Sequence, residues 1–245
     1  MAVQVDLLAP VLDRHFDCAA RPAIIVDAGA HRGAFSVAVK ARFENSKVFA
    51  FEPNPQTFCL LQRTLEPAGP DVLAINKGLG SKPALLEIFS YANDRSSEHS
   101  SLYREVFDSL HQHSDVCAQN VEITTLDGFC KERGISRVDF LKIDVEGGEL
   151  SVLEGAKYLI TNDGLPIIQF EFNEMNVVSR VFLRDFYGIL PGYSFFRIAV
   201  DRLVPLGEYR SVNEIFQYQN LLAVAPSVVG VGTGIEPDEA GQNSS

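Results

Sequence analysis

No cluster of lysine and arginine occurs anywhere in the 245 residues, and 21 basic side chains face 32 acidic ones, a net charge of −11. Nucleic acid needs a cationic surface to meet its phosphates, so that partner class is excluded, and the acidity reads as a solubilising surface. Cysteine is scarce: Cys18, Cys59, Cys117 and Cys130 form no CxxC or other close pair. Neither a disulfide framework nor a zinc site has the thiols it needs, and the four read as reduced thiols of a cytosolic protein. No apolar run approaches the roughly 18 residues of a membrane span, and the N-terminus carries no basic and apolar signal segment. A cytoplasmic protein without membrane insertion is expected. There is no internal repeat, and nothing in the pattern sets an oligomeric state.

A hydrophobic fraction of 46% is enough for a sizeable core in one domain. Val5, Leu8, Val11, Leu12 and Phe16 have helical spacing and predict an N-terminal helical segment over 1–22, closed by Pro22. The run AIIVDAGAHRGAFS at 23–36 then reads as a buried strand, a glycine turn and a helix start, with bare backbone amides facing a bound molecule. Further strands are predicted at 47–51, 72–75, 138–145, 166–172, 195–200 and 220–225. Helices are predicted from Pro55 and over 126–134, 149–160 and 181–190. This alternation predicts a mainly parallel sheet with helices on both faces, an α/β three-layer sandwich whose last two strands run antiparallel to each other. Residues 84–125 break the rhythm with an extra strand (84–91), a polar loop (93–101), a short helix (102–110) and a short strand (121–125). They are a candidate lid or substrate-facing insertion. The domain is expected over 23–226, and the Gly-, Ser-, Pro- and acid-rich residues 227–245 as a disordered tail.

In such a sheet ligands bind beyond the carboxyl ends of the strands, and nearly every predicted strand ends on an acid or amide: Asp27, Glu52, Asn76, Asp144 with Glu146, and Glu171 with Asn173. Glu52 lies 25 positions after Asp27, close to the spacing at which a second-strand acid accepts from both hydroxyls of a ribose; a helix-capping acid is the plainer reading. Asn76 and Gly78 border the base or form an ordinary turn. Strand alternation places Lys142, Asp144 and Glu146 on one side, either as a structural ion pair or as a reactive group.

VDAGAHRGAFS, FEPNP, the turn Asn76–Gly78, SSL at 100–102, TLDGF, LKIDVEGGE and QFEFNE, in this order over about residues 23–225, resemble the FkbM family of S-adenosylmethionine-dependent methyltransferases. The resemblance implies the Rossmann-like class I methyltransferase fold, a seven-stranded sheet with the last strand antiparallel. It implies that the Asp27, Gly29, Ala30, His31 and Gly33 turn holds the methionine part of S-adenosyl-L-methionine. Glu52 takes the ribose hydroxyls, Pro53, Asn54 and Asn76, Lys77 and Gly78 border ribose and adenine, and Asp144, Val145 and Glu146 line the methyl-transfer side. His31 stands where the family usually has Asn, and a helix-start role is its alternative. O-methylation of a sugar or small natural product is implied, with a small-molecule or glycan acceptor.

Removing a proton from that acceptor falls to Asp144, Glu171 or His99, with Lys142 as the basic neighbour. No metal site is assigned, although Asp144, Glu171 and Asn173 offer the hard oxygen ligands that Mg²⁺ takes. Arg95 and Arg104 are candidates for recognising an anionic group. A nicotinamide-dependent dehydrogenase needs G-x-G-x-x-G, whereas Ala-His-Arg separates Gly29 from Gly33 here. A non-catalytic module that binds the nucleoside cofactor is the remaining alternative.

Overall fold

The computed structural model describes residues 8, 11–13, 15–16, 21–91 and 116–228. In chain order its strands are β1 (Ala23–Ala28), β2 (Ser46–Phe51), β3 (Val72–Ile75), β4 (Gly78–Leu79), β5 (Ala84–Tyr91), β6 (Val116–Thr124), β7 (Phe140–Ile143), β8 (Ile167–Phe172), β9 (Ser194–Ile198), β10 (Leu203–Pro205) and β11 (Gln219–Val224). Its helices are α1 (Ala34–Arg42), α2 (Pro55–Leu65), α3 (Leu126–Glu132), α4 (Glu149–Glu154), α5 (Lys157–Thr161), α6 (Met175–Ser179) and α7 (Leu183–Ile189).

The main sheet has the order β10-β9-β11-β8-β7-β1-β2-β3. Pairing is parallel from β3 through β8, and β11 inserts antiparallel to both β8 and β9. The seven strands expected are present, and the three-residue β10 adds an eighth at the edge by turning back on β9. Strand alternation sorts the apolar residues into two layers. Val26, Leu141, Ile143, Phe170 and Phe172 pack with Phe129, Val152, Leu153 and Phe186 on one face. Ile25, Phe140, Val48, Ala50 and Ile167 pack with Phe35, Val39, Leu61 and Leu65 on the other. Leu8, Val11 and Leu12, spaced as an amphipathic helix requires, join the second layer. Below the sheet, at the edge away from the strand carboxyl ends, burial pushes the Asp139 carboxyl up. Hydrogen bonds from His15, the Ile24 N–H and Arg21 more than reverse that and hold it at about 2.

A second, three-stranded sheet, β4-β6-β5, departs from the short strand expected at 121–125. β6 runs nine residues because β5 pairs with it from Ala84↔Ile123 to Tyr91↔Val116, and this pairing overrides the low strand propensity of Gln119 and Asn120. The polar loop, the predicted helix at 102–110, His99, Arg95 and Arg104 lie outside the described residues, as does most of the predicted tail. The single helix expected over 149–160 is broken at Gly155. A Cβ there would stand 2.0 Å from the Gly80 carbonyl oxygen, so the chain bends where two backbones touch. The Asp127 carboxylate restarts the helix by accepting from the N–H groups of Tyr158 and Leu159, 2.8 and 3.1 Å away. None of Cys59, Cys117 and Cys130 is in a disulfide, and burial, with Asp127 nearby, pushes the Cys130 thiol up to about 12. Among the described residues no helix is long and apolar enough to cross a membrane.

Candidate functional site

The loop after β1 is built against β2. The N–H groups of Gly29 and Ala30 donate to the Phe51 carbonyl at 3.0 and 2.8 Å, so these two amides hold neighbouring backbone and do not face a ligand as the glycine turn suggests. Gly29 has a different reason to lack a side chain. Its Cβ would lie 1.8 Å from the Asp144 carbonyl oxygen, which shows how closely the turns after β1 and β7 meet. His31, at φ 49, donates its backbone N–H to Glu52 Oε2 (3.0 Å), and the Asn54 N–H donates to Glu52 Oε1 (2.9 Å). Glu52 therefore ties the first two strand ends together. A carboxylate has about four acceptor positions, so two remain for a diol. Burial pushes its pKa up to about 7 against those two hydrogen bonds.

The neighbouring amides serve as supports. Asn54 Oδ1 caps α2 by accepting from Gln56 and Thr57 N–H, with Pro55 in the first turn. Asn76 Nδ2 donates to the carbonyls of Glu52 and Pro53 at 2.9 and 3.0 Å, fixing the turn that carries the acid. Lys77 reaches away to Glu122 of β6 (3.0 Å), and Gly78 enters β4. Gly33 caps the start of α1 through backbone alone.

At the ends of β7 and β8 a buried polar row crosses the sheet. Asp27, Lys142 and Gln169 are register partners on β1, β7 and β8, and all three are buried. Asp27 Oδ2 accepts from Ser36 Oγ (2.7 Å), while Lys142 Nζ stands 3.5 Å from Asp27 Oδ1 and 3.0 Å from Asp144 Oδ2. Burial raises the Asp27 pKa, with Lys142 and Ser36 opposing. Burial acts to lower that of Lys142, but Asp144, Asp27 and Glu171 win and keep the ammonium charged. The strand predicted over 138–145 ends at Ile143, so Asp144 and Glu146 project from the following turn, Glu146 at φ 55.

Carboxylate oxygens of Asp144, Glu146 and Glu171 lie within 4.8 Å of one another. Glu171 is 6% exposed, and burial, with Asp144, Glu146 and Glu149 adding, pushes it up to about 9. Asn173 does not complete the oxygen set expected from sequence. Its Nδ2 donates to Glu171 Oε2 (2.9 Å) and its Oδ1 accepts from Met175 N–H (2.7 Å), so Glu146 takes the third place. Sequence reasoning missed Glu149, whose Oε1 accepts from the N–H groups of Val145 and Gly147 at 3.1 and 3.2 Å and so shapes the turn. An acid opening the helix after a glycine turn was the available signal.

A largely parallel sheet with one inserted antiparallel strand, acids gathered at its carboxyl edge and a second-strand acid bound to the first-strand loop is the Rossmann-like class I methyltransferase architecture. Residues 27–187 match the methyltransferase FkbM domain, and the chain belongs to that family. It is 34% identical over 161 residues to "Methyltransferase 1" of Beauveria bassiana, covering 59% of this chain and 63% of the relative. It is 27% identical over 124 residues to the hexuronic acid methyltransferase AglP of Haloferax volcanii, covering 51% and 47%. The chain thus spans less than two thirds of the length of these relatives. The crystal structure of a methyltransferase FkbM from Methylobacillus flagellatus is similar at 16% identity and a TM-score of 0.49, over 82% of this chain and 43% of that one.

Proposed function

We propose that the protein moves the methyl group of S-adenosylmethionine to a hydroxyl of a sugar or small natural product. The observation that carries this reading is Glu52, buried at the end of β2, locked to the β1 loop through His31 N–H and with acceptor positions left for the ribose diol. The positive end of α1, capped by backbone alone, suits the cofactor's carboxylate. When bound, the cofactor supplies an electrophilic methyl group. The chain's own part is to orient the acceptor, exclude water and take a proton. Glu171 takes that proton: its raised pKa makes its carboxylate a stronger base than an ordinary one, and Lys142 balances the charge of Asp144 beside it. A hexuronic acid methyltransferase among the relatives supports a sugar-class acceptor.

Calorimetry with S-adenosylmethionine, S-adenosylhomocysteine and NAD tests the cofactor, and no binding of the first two would overturn the reading. Glu52→Gln places an NH₂ against one of the two backbone N–H donors and removes a charge-assisted acceptor, so S-adenosylhomocysteine affinity is expected to fall about 100-fold, roughly 2.7 kcal/mol. Because the Glu52 pKa is raised to about 7 and the diol needs the ionised acid, wild-type affinity should climb between pH 5 and 7 and level off above. The same shift stabilises the unliganded fold fully below pH 4.5, and that contribution is lost as pH rises through 7. Exhaustive chelation is expected to leave turnover unchanged, since Asn173 is committed to Glu171 and to Met175 N–H and Lys142 already stands on Asp144. Restoration of a lost rate by Mg²⁺ would overturn this.

A further inference from the structure

The buried polar row does not stop at Gln169. Gln169 Nε2 donates to Asn220 Oδ1 (2.9 Å), and Asn220 Nδ2 donates to the Tyr218 hydroxyl (3.3 Å). Asn220 is the register partner of Glu171 across the β8–β11 ladder. The relay therefore brings the phenol to the acid placed above as the base, and Glu171 and Asp144 are the charged groups that act on it. Tyr218 is 67% exposed. A large aromatic side chain is thus anchored at its tip by amides reaching into the core, while its body is left in water beside the reacting edge. Tyrosine has two side-chain torsions and loses little freedom when a ligand settles on it, less still when its hydroxyl is already held.

We propose that Tyr218 is the acceptor platform: the C–H face of an uncharged saccharide ring lies on the phenol, and hydroxyls at the rim of that ring reach Glu171 and Asp144. This rests on the methyl-transfer reading and narrows its acceptor. A polyol matches both halves of the site, one apolar face for the aromatic ring and several O–H donors for carboxylates that only accept when ionised. An acid on the same sugar would meet Asp144, Glu146 and Glu171 within one 4.8 Å cluster, where like charges repel.

Saturation-transfer NMR on protein loaded with S-adenosylhomocysteine, with methyl glucoside and methyl glucuronide as probes, tests this. The glucoside should receive saturation on the C–H groups of one ring face, the glucuronide much less. Tyr218→Ala should reduce the glucoside signal about tenfold, a loss near 1.4 kcal/mol, and Tyr218→Phe, which keeps the ring, should retain most of it. Calorimetry should give unchanged S-adenosylhomocysteine affinity in both variants. Equal glucoside signals in wild type and Tyr218→Ala, silence of both probes on the loaded wild type, or a preference for the glucuronide would each overturn the platform. Failure of the wild type to bind S-adenosylhomocysteine would overturn the methyl-transfer reading instead.

Discussion

Lys142→Met should lower the folding free energy by about 3–5 kcal/mol at pH 8 and by much less at pH 5. Lys142 is 4% exposed and lies between Asp27 and Asp144, with Phe35 5.4 Å from its ammonium. Its raised pKa means that its contribution is fully present below the unfolded value of 10.5 and is lost only as pH rises through the folded value, so both test conditions hold it charged. Methionine fills most of the volume but leaves Asp27 buried without a counter-charge, and drives its already raised pKa, with that of Glu171, further up. At pH 5 those acids can stay protonated in the folded state at little cost. At pH 8 the unfolded chain ionises them and the folded chain resists, so the deficit grows with pH. Urea unfolding at the two pH values measures the difference. Equal losses would show that contact with Phe35, and not charge, is what the substitution removes. Adding Asp27→Asn should recover part of the loss at pH 8 alone.

This dependence also shows what a sequence can and cannot tell about such a site. The strand ends were legible because β-branched and aromatic runs stop at Asp27, Glu52 and Asn173, and the carboxyl edge follows from parallel topology. Glu52 was legible by spacing. The tasks of its neighbours were not, since hydrogen-bond direction is set by the turn: Asn54 and Asn76 look like ligand amides in sequence and act as a helix cap and a brace. Gly29 is read from sequence as a turn residue and Gly155 as part of a helix, yet each is small because another backbone lies where its side chain would be. Such contacts join residues 115 or 75 positions apart, and no local pattern reports them. Gln169, Asn220 and Tyr218 escaped notice for a related reason: they form a row only once the β8–β11 register is known.

Glu171→Gln should cut kcat by about 10²- to 10⁴-fold, the range expected when a general base is removed. Glutamine keeps the shape and still meets Asn173, so cofactor affinity should hold. The pH profile makes the assignment specific. With a pKa of about 9, the ionised fraction of Glu171 falls tenfold for each pH unit below that value, so above pH 7, where Glu52 is already ionised, wild-type kcat/KM should climb with unit slope and level off near pH 9. The variant should lose that slope. A wild-type profile without that rise would remove Glu171 as the base. The folding linkage runs the other way: the raised pKa stabilises the fold fully below pH 4.5, and this contribution disappears as pH rises through 9. Activity should therefore be highest where Glu171 contributes least to stability. Ionised, it adds a buried charge beside the half-buried Asp144 and Glu146, and its burial, together with that repulsion, is also what makes it a base strong enough to take a hydroxyl proton.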